Sequence, residues 1–230
     1  MRADLDFIAE REDFKLRCAA SYSEGVHLVS GIIGSGKSTM ALVMASLLQC
    51  QGSYSTKGVQ RTILSMQFPE YHITSSSLDD EVRSWGLDPR DVLPRAGMEG
   101  RGAIDPFKLS RGQLKRLNLA CVFALDPDIL LLDEPFSSLD CMVKSRVCKA
   151  IESRQDKITM VFSHERSVLP RVDSISHIAD GELRYHGNTP DAVMQWSSPP
   201  PYLRKALERG ARPKNIALQD SMEALCAIRD

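Results

Sequence analysis

Residues 31 to 38 read G-I-I-G-S-G-K-S, and this stretch decides the fold. It satisfies the pattern G-x-x-x-x-G-K-[ST], in which glycines let successive backbone N–H groups turn inward around an anion. Lys37 supplies a positive charge for the β- and γ-phosphates of a nucleotide, and the Ser38 hydroxyl can bind Mg²⁺. The alternative is a plain glycine turn, to which the Lys-Ser pair would add nothing. The predicted phosphate-binding residues are Gly31, Gly34, Ser35, Gly36, Lys37, Ser38 and Thr39.

The sequence on both sides of this loop has the elements that the motif requires. Residues 26–30 are apolar and β-prone, so we predict a strand immediately before the loop. Residues 40–48 are apolar and helix-prone, so we predict a helix over about 37–49. The positive N-terminal end of that helix would face the same anion.

A pair of carboxylates follows a second predicted strand. Residues 129–132 form an apolar run between Pro127 and Pro135, which is typical of a strand buried on both faces of a parallel sheet. Asp133 and Glu134 come next, at the end of the strand where open α/β sheets bind ligands. Because adjacent residues on a strand point in opposite directions, we expect the two carboxylates to have different roles. Asp133 is the candidate to bind Mg²⁺, directly or through water, and Glu134 is the candidate general base or positioner of the attacking water. A solvated strand end is the alternative interpretation.

Residues 109–113 read L-S-R-G-Q and carry a helix start signal. Ser110 has the position of an N-cap and Gln113 completes a capping box, so we predict a helix over residues 111–125. Arg111 places a cation at the N-terminus of this helix, which is unfavourable by itself.

Six short motifs occur in one order along the chain. They are the phosphate loop, Gln67 in M-Q-F-P, the L-S-R-G-Q segment, Asp133-Glu134, S-L-D at 138–140, and His164 in F-S-H-E. Together they resemble the nucleotide-binding subunit of ABC transporters, from the N-terminus to about residue 190. The resemblance implies an α/β fold of the P-loop NTPase (RecA-like) type, with a parallel sheet core, an N-terminal antiparallel β portion and an inserted α-helical subdomain. It also implies ATP hydrolysis with ATP and Mg²⁺ as cofactors, and a second ATPase protomer, in a homo- or heterodimer that encloses two ATP molecules.

The resemblance also assigns roles to single residues, although a lone glutamine or histidine says little by itself. Gln67 would approach Mg²⁺ and the attacking water, and His164 would contact the γ-phosphate. The implied catalytic residues are Lys37, Gln67, Glu134 and His164. The implied Mg²⁺ ligands are Ser38, Gln67 and Asp133. The residues implied to contact the ATP of the other protomer, or to order the dimer interface, are Ser110, Gly112, Gln113 and Asp140.

Two positions do not follow the family pattern closely. Arg111 stands where the family most often has glycine, and we expect it to be tolerated because an ATP phosphate faces it across the dimer. In this family an aromatic residue near the N-terminus usually stacks on adenine. Phe7 and Phe14 are the candidates here, but both are also interpretable as core residues of strands, which is how we interpret Phe14.

The segment Q-F-P-E-Y-H at 67–72, followed by L-D-D-E-V at 78–82, is similar to the ATPases of energy-coupling factor (ECF) importers. That similarity implies a peripheral ATPase at the cytoplasmic face of the cell membrane, bound to integral membrane transporter subunits that take up a metal ion or a vitamin. Another branch of the ABC transporters is the nearer alternative. A soluble ABC ATPase outside transport is disfavoured, because the coiled coil or second ATPase domain of such relatives is lacking.

The predicted domain organisation is an ABC ATPase domain over residues 1–190 and a short helical extension over 191–230. Within the first, the core would comprise residues 1–67 and 126–190, and the helical subdomain about 68–125. In the extension, residues 203–209 and 216–228 are predicted helices. They would either pack against the core or contact the second protomer.

Composition excludes several classes of function. The 29 Lys and Arg residues against 30 Asp and Glu residues give a formal charge of −1, which does not indicate binding to nucleic acid. The six cysteines lack C-x-x-C spacing, which favours reduced thiols. The N-terminus lacks a signal pattern, and apolar runs of about 18 residues or more are absent, so a transport role would require separate membrane subunits.

Overall fold

The computed structural model describes residues 1–11 and 14–228, and its strands form one curled sheet. The strands are β1 (Arg2–Arg11), β2 (Phe14–Ser23), β3 (Gly25–Ser30), β4 (Gln51–Lys57), β5 (Thr62–Ser65), β6 (Ile129–Asp133), β7 (Ile158–Ser163), β8 (Ser174–Ala179) and β9 (Glu182–Asn188). Their order across the sheet is β4-β1-β2-β9-β8-β3-β7-β6-β5. The predicted strands at 26–30 and 129–132 are β3 and β6.

The sheet has a parallel half and an antiparallel half. Strands β5, β6, β7, β3 and β8 are parallel neighbours, and every residue of β3, β6 and β7 is buried. Strands β1, β2 and β4 pair antiparallel at the other edge, where β1 alternates buried and less buried residues as a half-covered strand does. The predicted α/β class, with a parallel core and an N-terminal antiparallel portion, is confirmed.

The α-helices cover both faces of the sheet and form a separate helical region. They are α1 (Lys37–Met44), α2 (Leu78–Ser84), α3 (Pro89–Arg95), α4 (Arg111–Leu125), α5 (Cys141–Glu152), α6 (Asp191–Gln195), α7 (Pro201–Glu208) and α8 (Leu218–Cys226). Short 3₁₀ turns lie at Pro69–His72 and Pro106–Lys108.

Helix α1 is shorter than the sequence predicts. It ends at Met44 instead of near Gln49, because Ser46 adopts a left-handed conformation with φ of 58°. The Ser46 N–H donates to the Val43 carbonyl and the Leu47 N–H to the Leu42 carbonyl, which is the hydrogen-bond pattern of a Schellman motif. Apolar character continues past the helix end, so periodicity alone overestimated its length.

Three apolar clusters divide the described residues. Two lie on opposite faces of the sheet, and the third is formed by α2, α3, α4 and their connections. The inserted helical subdomain is therefore present, whereas its boundaries at 67/68 and 125/126 stay predictions. Within the described ranges, all six cysteines are free and no helix has the length and apolarity needed to cross a bilayer.

The C-terminal extension packs onto the core. Trp196, Leu203 and Ile216 are buried in the apolar cluster that also contains β3 and β6 residues. The Trp196 indole N–H donates to the Ser30 hydroxyl over 3.1 Å, at the last residue of β3. Helices α7 and α8 lie close to the predicted helices at 203–209 and 216–228. Packing on the core thus explains these apolar residues without a second protomer.

Candidate functional site

The phosphate loop lies between β3 and α1, as the motif requires. Gly36 immediately precedes α1 with φ of 108°, and a Cβ there would lie 2.8 Å from the Phe14 ring, so a side chain would be both strained and crowded. The Lys37 ammonium donates to the carbonyls of Gly31 at 2.8 Å and Ile32 at 2.9 Å. It also lies 3.7 Å from the Glu134 carboxylate. Burial lowers the pKa of Lys37, and the nearby Glu134 and Asp133 carboxylates oppose that shift.

The acidic pair is arranged differently from the sequence-based expectation. Strand β6 ends at Asp133, and Glu134 lies beyond it in a left-handed conformation with φ of 49°. The argument that the two side chains alternate along a strand is therefore wrong, because only Asp133 belongs to the strand. The Glu134 N–H donates to the Phe162 carbonyl over 2.9 Å, which fixes the turn.

The Glu134 carboxylate is held by the segment that follows β7. Its Oε1 lies 2.6 Å from His164 Nδ1 and accepts from the His164 N–H at 3.2 Å. Its Oε2 accepts from the Ser163 hydroxyl at 3.2 Å. The His164 side chain is 46% exposed, whereas the Glu134 side chain is 8% exposed. Glu134 is thus a buried carboxylate whose orientation is fixed by Ser163 and His164.

These residues line one cavity of about 340 Å³ next to the phosphate loop. Its lining includes Gly34 and residues 36–39 of the loop, together with residues from five other segments, namely Arg11, Phe14, Gln67, Glu134 and His164. The predicted loop residues Gly31 and Ser35 do not line it. Phe14 lies in β2 and packs half-buried against the core, in agreement with its interpretation as a core strand residue, and its ring also forms one wall of the cavity. Phe7, by contrast, is buried in the core. Only the packing of β2 against the loop distinguishes the two.

Four further predicted site residues, Ser110, Gly112, Gln113 and Asp140, lie at the starts of α4 and α5, and none of them lines this cavity. The predicted capping box is confirmed: the Ser110 hydroxyl accepts from the Gln113 N–H and the Gln113 side chain accepts from the Ser110 N–H. Gly112 approaches the Ser138 carbonyl so closely that a Cβ would lie 2.4 Å from that oxygen. Asp140 caps α5 by accepting from the Val143 N–H.

Arg111 has partners within its own chain. Its Nε lies 3.0 Å from Glu70 Oε1, and its guanidinium lies 5.6 Å from the centre of the Phe68 ring. A carboxylate at this distance compensates the repulsion between an arginine and a helix N-terminus. The expectation that an ATP phosphate also faces Arg111 stays a prediction.

Sequence reasoning missed Lys115, which is only 1% exposed in the middle of α4. Its ammonium donates to the Met66 carbonyl at 2.9 Å and lies 3.5 Å from the Asp133 carbonyl. Burial lowers its pKa to about 8, against the opposing effect of Asp133, Glu134 and Glu70. A lysine in an amphipathic helix normally indicates a solvated face, so the sequence carried no signal for this position.

The residues around Asp133 fit a divalent cation. Asp133 Oδ1 is buried without a hydrogen-bond partner among the described residues, and the Ser38 hydroxyl lies against the same carboxylate. Burial raises the pKa of Asp133, with Ser38 and two lysines opposing the shift. A hydroxyl and a carboxylate oxygen beside a phosphate loop are the ligands that Mg²⁺ prefers.

Comparison with known proteins identifies the family. A family model described as ABC transporter matches residues 21–137. The chain is 29% identical over 189 residues to the energy-coupling factor transporter ATP-binding protein EcfA1 of Thermotoga maritima, with 73% of each protein covered. It is 30% identical over 195 residues to a putative ABC transporter ATP-binding protein of Pyrococcus horikoshii, with 74% of this chain and 75% of the relative covered.

Solved structures agree on the fold. CbiO1 of Clostridium perfringens, part of the ABC transporter complex cbiONQ, has a TM-score of 0.63 at 20% identity, over 81% of this chain and 88% of that chain. An ATP-binding subunit of an ABC transporter has a TM-score of 0.72 at 17% identity, over 98% and 99%. The resemblance inferred from the motifs is confirmed. The chain belongs to the ABC transporter family and is an ATP-binding, ATP-hydrolysing transporter subunit.

Proposed function

We propose that this chain powers an ECF-type importer of a metal ion or a vitamin, as one of two ATPase protomers on the cytoplasmic face of the membrane. The observation that carries the proposal is that one cavity is lined by Lys37, Ser38, Gln67, Glu134 and His164 together. The ECF assignment is supported by the Q-F-P-E-Y segment, by the relatives named EcfA1 and by the CbiO1 fold. ProV of Escherichia coli, a glycine betaine/proline betaine transport ATPase, is also 29% identical over half of its own length, so another importer branch is the second candidate.

The positions of the side chains support a specific role for each residue in ATP hydrolysis. Lys37 and the loop N–H groups would hold the β- and γ-phosphates, while Glu134 accepts a proton from the attacking water. His164 keeps the Glu134 carboxylate oriented through the 2.6 Å contact. Ser38 and Asp133 would hold Mg²⁺ and Gln67 would approach it, and the ion would supply positive charge to offset that of the phosphate oxygens. Because the carboxylate is already oriented, little reorganisation is needed during reaction.

ATP-driven dimerisation is supported by the residues that remain outside the cavity. Ser110 and Gly112 lie at a helix N-terminus, which favours a phosphate, yet they do not line the cavity of their own chain. Ile32 in the phosphate loop does not line the cavity either and is 70% exposed, which fits a surface covered by a second protomer. Each ATP would then contact the loop of one protomer and the start of α4 of the other.

Contact with a membrane subunit is proposed beside Gln67. Phe68, Tyr71 and Phe107 are apolar residues exposed to at least 38%. Phe68 and Tyr71 lie in the segment that follows Gln67, and Phe107 lies in the turn between α3 and α4. Exposed aromatic side chains are common in protein interfaces. Binding there would act on Gln67 directly.

The proposal is tested by purifying the tagged full-length chain with detergent from its native membranes and identifying the bound proteins. A multi-spanning subunit together with a small substrate-binding membrane protein is the expected result. A Tyr71→Asp variant should lose both and keep ATPase activity. Recovery of a periplasmic-binding-protein transporter would favour the second candidate, and exclusively soluble partners would contradict a transport role.

A further inference from the structure

Lys115 joins two backbone positions that matter for hydrolysis. Its ammonium donates to the carbonyl of Met66 at 2.9 Å and lies 3.5 Å from that of Asp133. Met66 directly precedes Gln67, and Asp133 directly precedes Glu134. One buried cation therefore binds the peptide groups that lead into both residues proposed to position the attacking water.

A second hydrogen bond connects the end of β5 to α4. The Ser65 hydroxyl donates to the Asn118 side chain, and Asn118 lies three residues after Lys115 on the same face of the helix. The Met66 N–H donates to His72 Nε2 over 3.0 Å. Ser65 and Met66 are thus held by hydrogen bonds to α4 and to His72. Gln67, which follows them, lines the cavity.

A purely structural role does not explain a lysine here. Removing an ammonium from water costs free energy, and two neutral carbonyls only partly replace its hydration. A methionine of similar length would fill the same space, but the Met66 carbonyl would lose this donor and the positive charge near Asp133 and Glu134 would be removed. Packing alone therefore does not explain the charged ammonium of Lys115, whereas its contacts with the two carbonyls do.

We propose that Lys115 is a positioning residue for ATP hydrolysis, which sets the separation of Gln67 and Glu134 by binding the carbonyls that precede them. The inference rests on the roles proposed above for those two residues. Since Lys115 belongs to the helix that Ser110 caps, it also ties both water-positioning residues to the element that would contact the second protomer. A displacement of about 1 Å at such a site can lower turnover roughly 100-fold.

The test compares steady-state ATP hydrolysis by the full-length chain and its Lys115→Met variant, with Mg²⁺ at saturation. We expect kcat to fall about tenfold or more. The Kd for a fluorescent ATP analogue should equal that of the wild type, and the thermal midpoint should not fall enough to account for the loss of kcat. Lys115→Gln, which keeps a donor within the same site, should recover part of kcat. Leu117→Met, a buried change on the same helix, serves as the control and should leave kcat unchanged.

A double variant shows whether Lys115 acts through its proposed partner. In a Gln67→Ala background, Lys115→Met should lower kcat less than it does alone, since only the part of its effect that acts through Glu134 remains. Multiplicative effects, an unchanged kcat in Lys115→Met, or a kcat loss that follows lost stability would overturn the proposal. If Lys115→Met does not fold, Lys115→Gln decides: wild-type kcat overturns the proposal, and a reduced kcat with unchanged Kd supports it.

Glu134→Gln is measured in parallel to separate two kinds of failure. If Glu134→Gln is inactive while Lys115→Met is fully active, only the role of Lys115 is wrong. If Glu134→Gln hydrolyses ATP at the wild-type rate, the proposed site itself is wrong.

Discussion

Glu134 combines the two properties that a general base in this site needs. It is buried beside Lys37, and His164 and Ser163 fix its orientation. Its backbone has φ of 49°, a conformation that costs free energy for a residue other than glycine and is often found at functional sites. The strain is balanced by the bond from its N–H to the Phe162 carbonyl.

Replacing Glu134 by glutamine should abolish turnover without weakening nucleotide binding. The amide keeps the shape of the side chain but cannot accept the proton of water, so we expect kcat to fall roughly 100-fold or more. The variant should accumulate as an ATP-bound dimer, measured by light scattering with and without Mg-ATP. Turnover near that of the wild type would remove Glu134 from this role.

Lys37→Ala tests binding at the same site. Loss of a charge-assisted bond to phosphate, worth about 1.5–3 kcal/mol, should weaken the affinity for ATP by roughly 10- to 100-fold. Isothermal titration calorimetry measures this directly. Lys149→Ala, an exposed lysine on α5, is the matched control. Equal affinities in all three proteins would contradict the assignment of the phosphate loop.

At the scale of elements, the start of α4 has two functions that can be separated. The side chains of Ser110 and Gln113 accept hydrogen bonds from each other's backbone N–H groups. This capping box explains the presence of both residues even in an isolated protomer. The same exposed helix end is the proposed phosphate contact of a dimer. Arg111, fastened to Glu70, links this helix end to the loop that follows Gln67.

Ser110→Ala should lower the free energy of unfolding by about 1 kcal/mol, because the N-cap bond is lost. It should also weaken ATP-driven dimerisation. Ser110→Thr retains a capping hydroxyl and should restore the stability, as measured by urea unfolding. If Ser110→Ala unfolds like the wild type, the capping box does not stabilise the isolated chain.

At the scale of the whole molecule, the free energy of unfolding should depend on pH. Burial lowers the pKa of His27, which is held between the Ser174 hydroxyl and the Ser23 carbonyl at 2.8 Å each, and likewise the pKa of His72 and His177. These rings are therefore less easily protonated in the folded state than in the unfolded state, where the pKa is about 6.5. Their contribution is fully present above that pH and is lost as the pH falls below it.

We expect the free energy of unfolding to be smaller at pH 5.5 than at pH 7.5, measured by urea denaturation without nucleotide. His27→Gln should reduce this difference, because the buried group no longer titrates. The same difference in variant and wild type would show that the pH dependence arises elsewhere.

Much of the site was predictable because its motifs are contiguous. The glycines and Lys37 of the phosphate loop act through the geometry of eight adjacent residues, and the Ser110 capping box spans four. Buried parallel strands have continuous apolar runs, so β3 and β6 were recognisable as well. The length of α1 was not, since a single left-handed serine ended it while apolar residues continued.

By itself, the sequence determined the phosphate loop, the order of motifs and hence the family and the α/β class. Tertiary structure alone decided that Glu134 leaves its strand and meets His164, 30 residues away, and that Phe14 lines the cavity. It also decided that Lys115 is buried against Met66, 49 residues away. The physical reason is the range of the interactions: backbone geometry constrains neighbours in sequence, whereas side-chain partners are fixed only when distant elements pack.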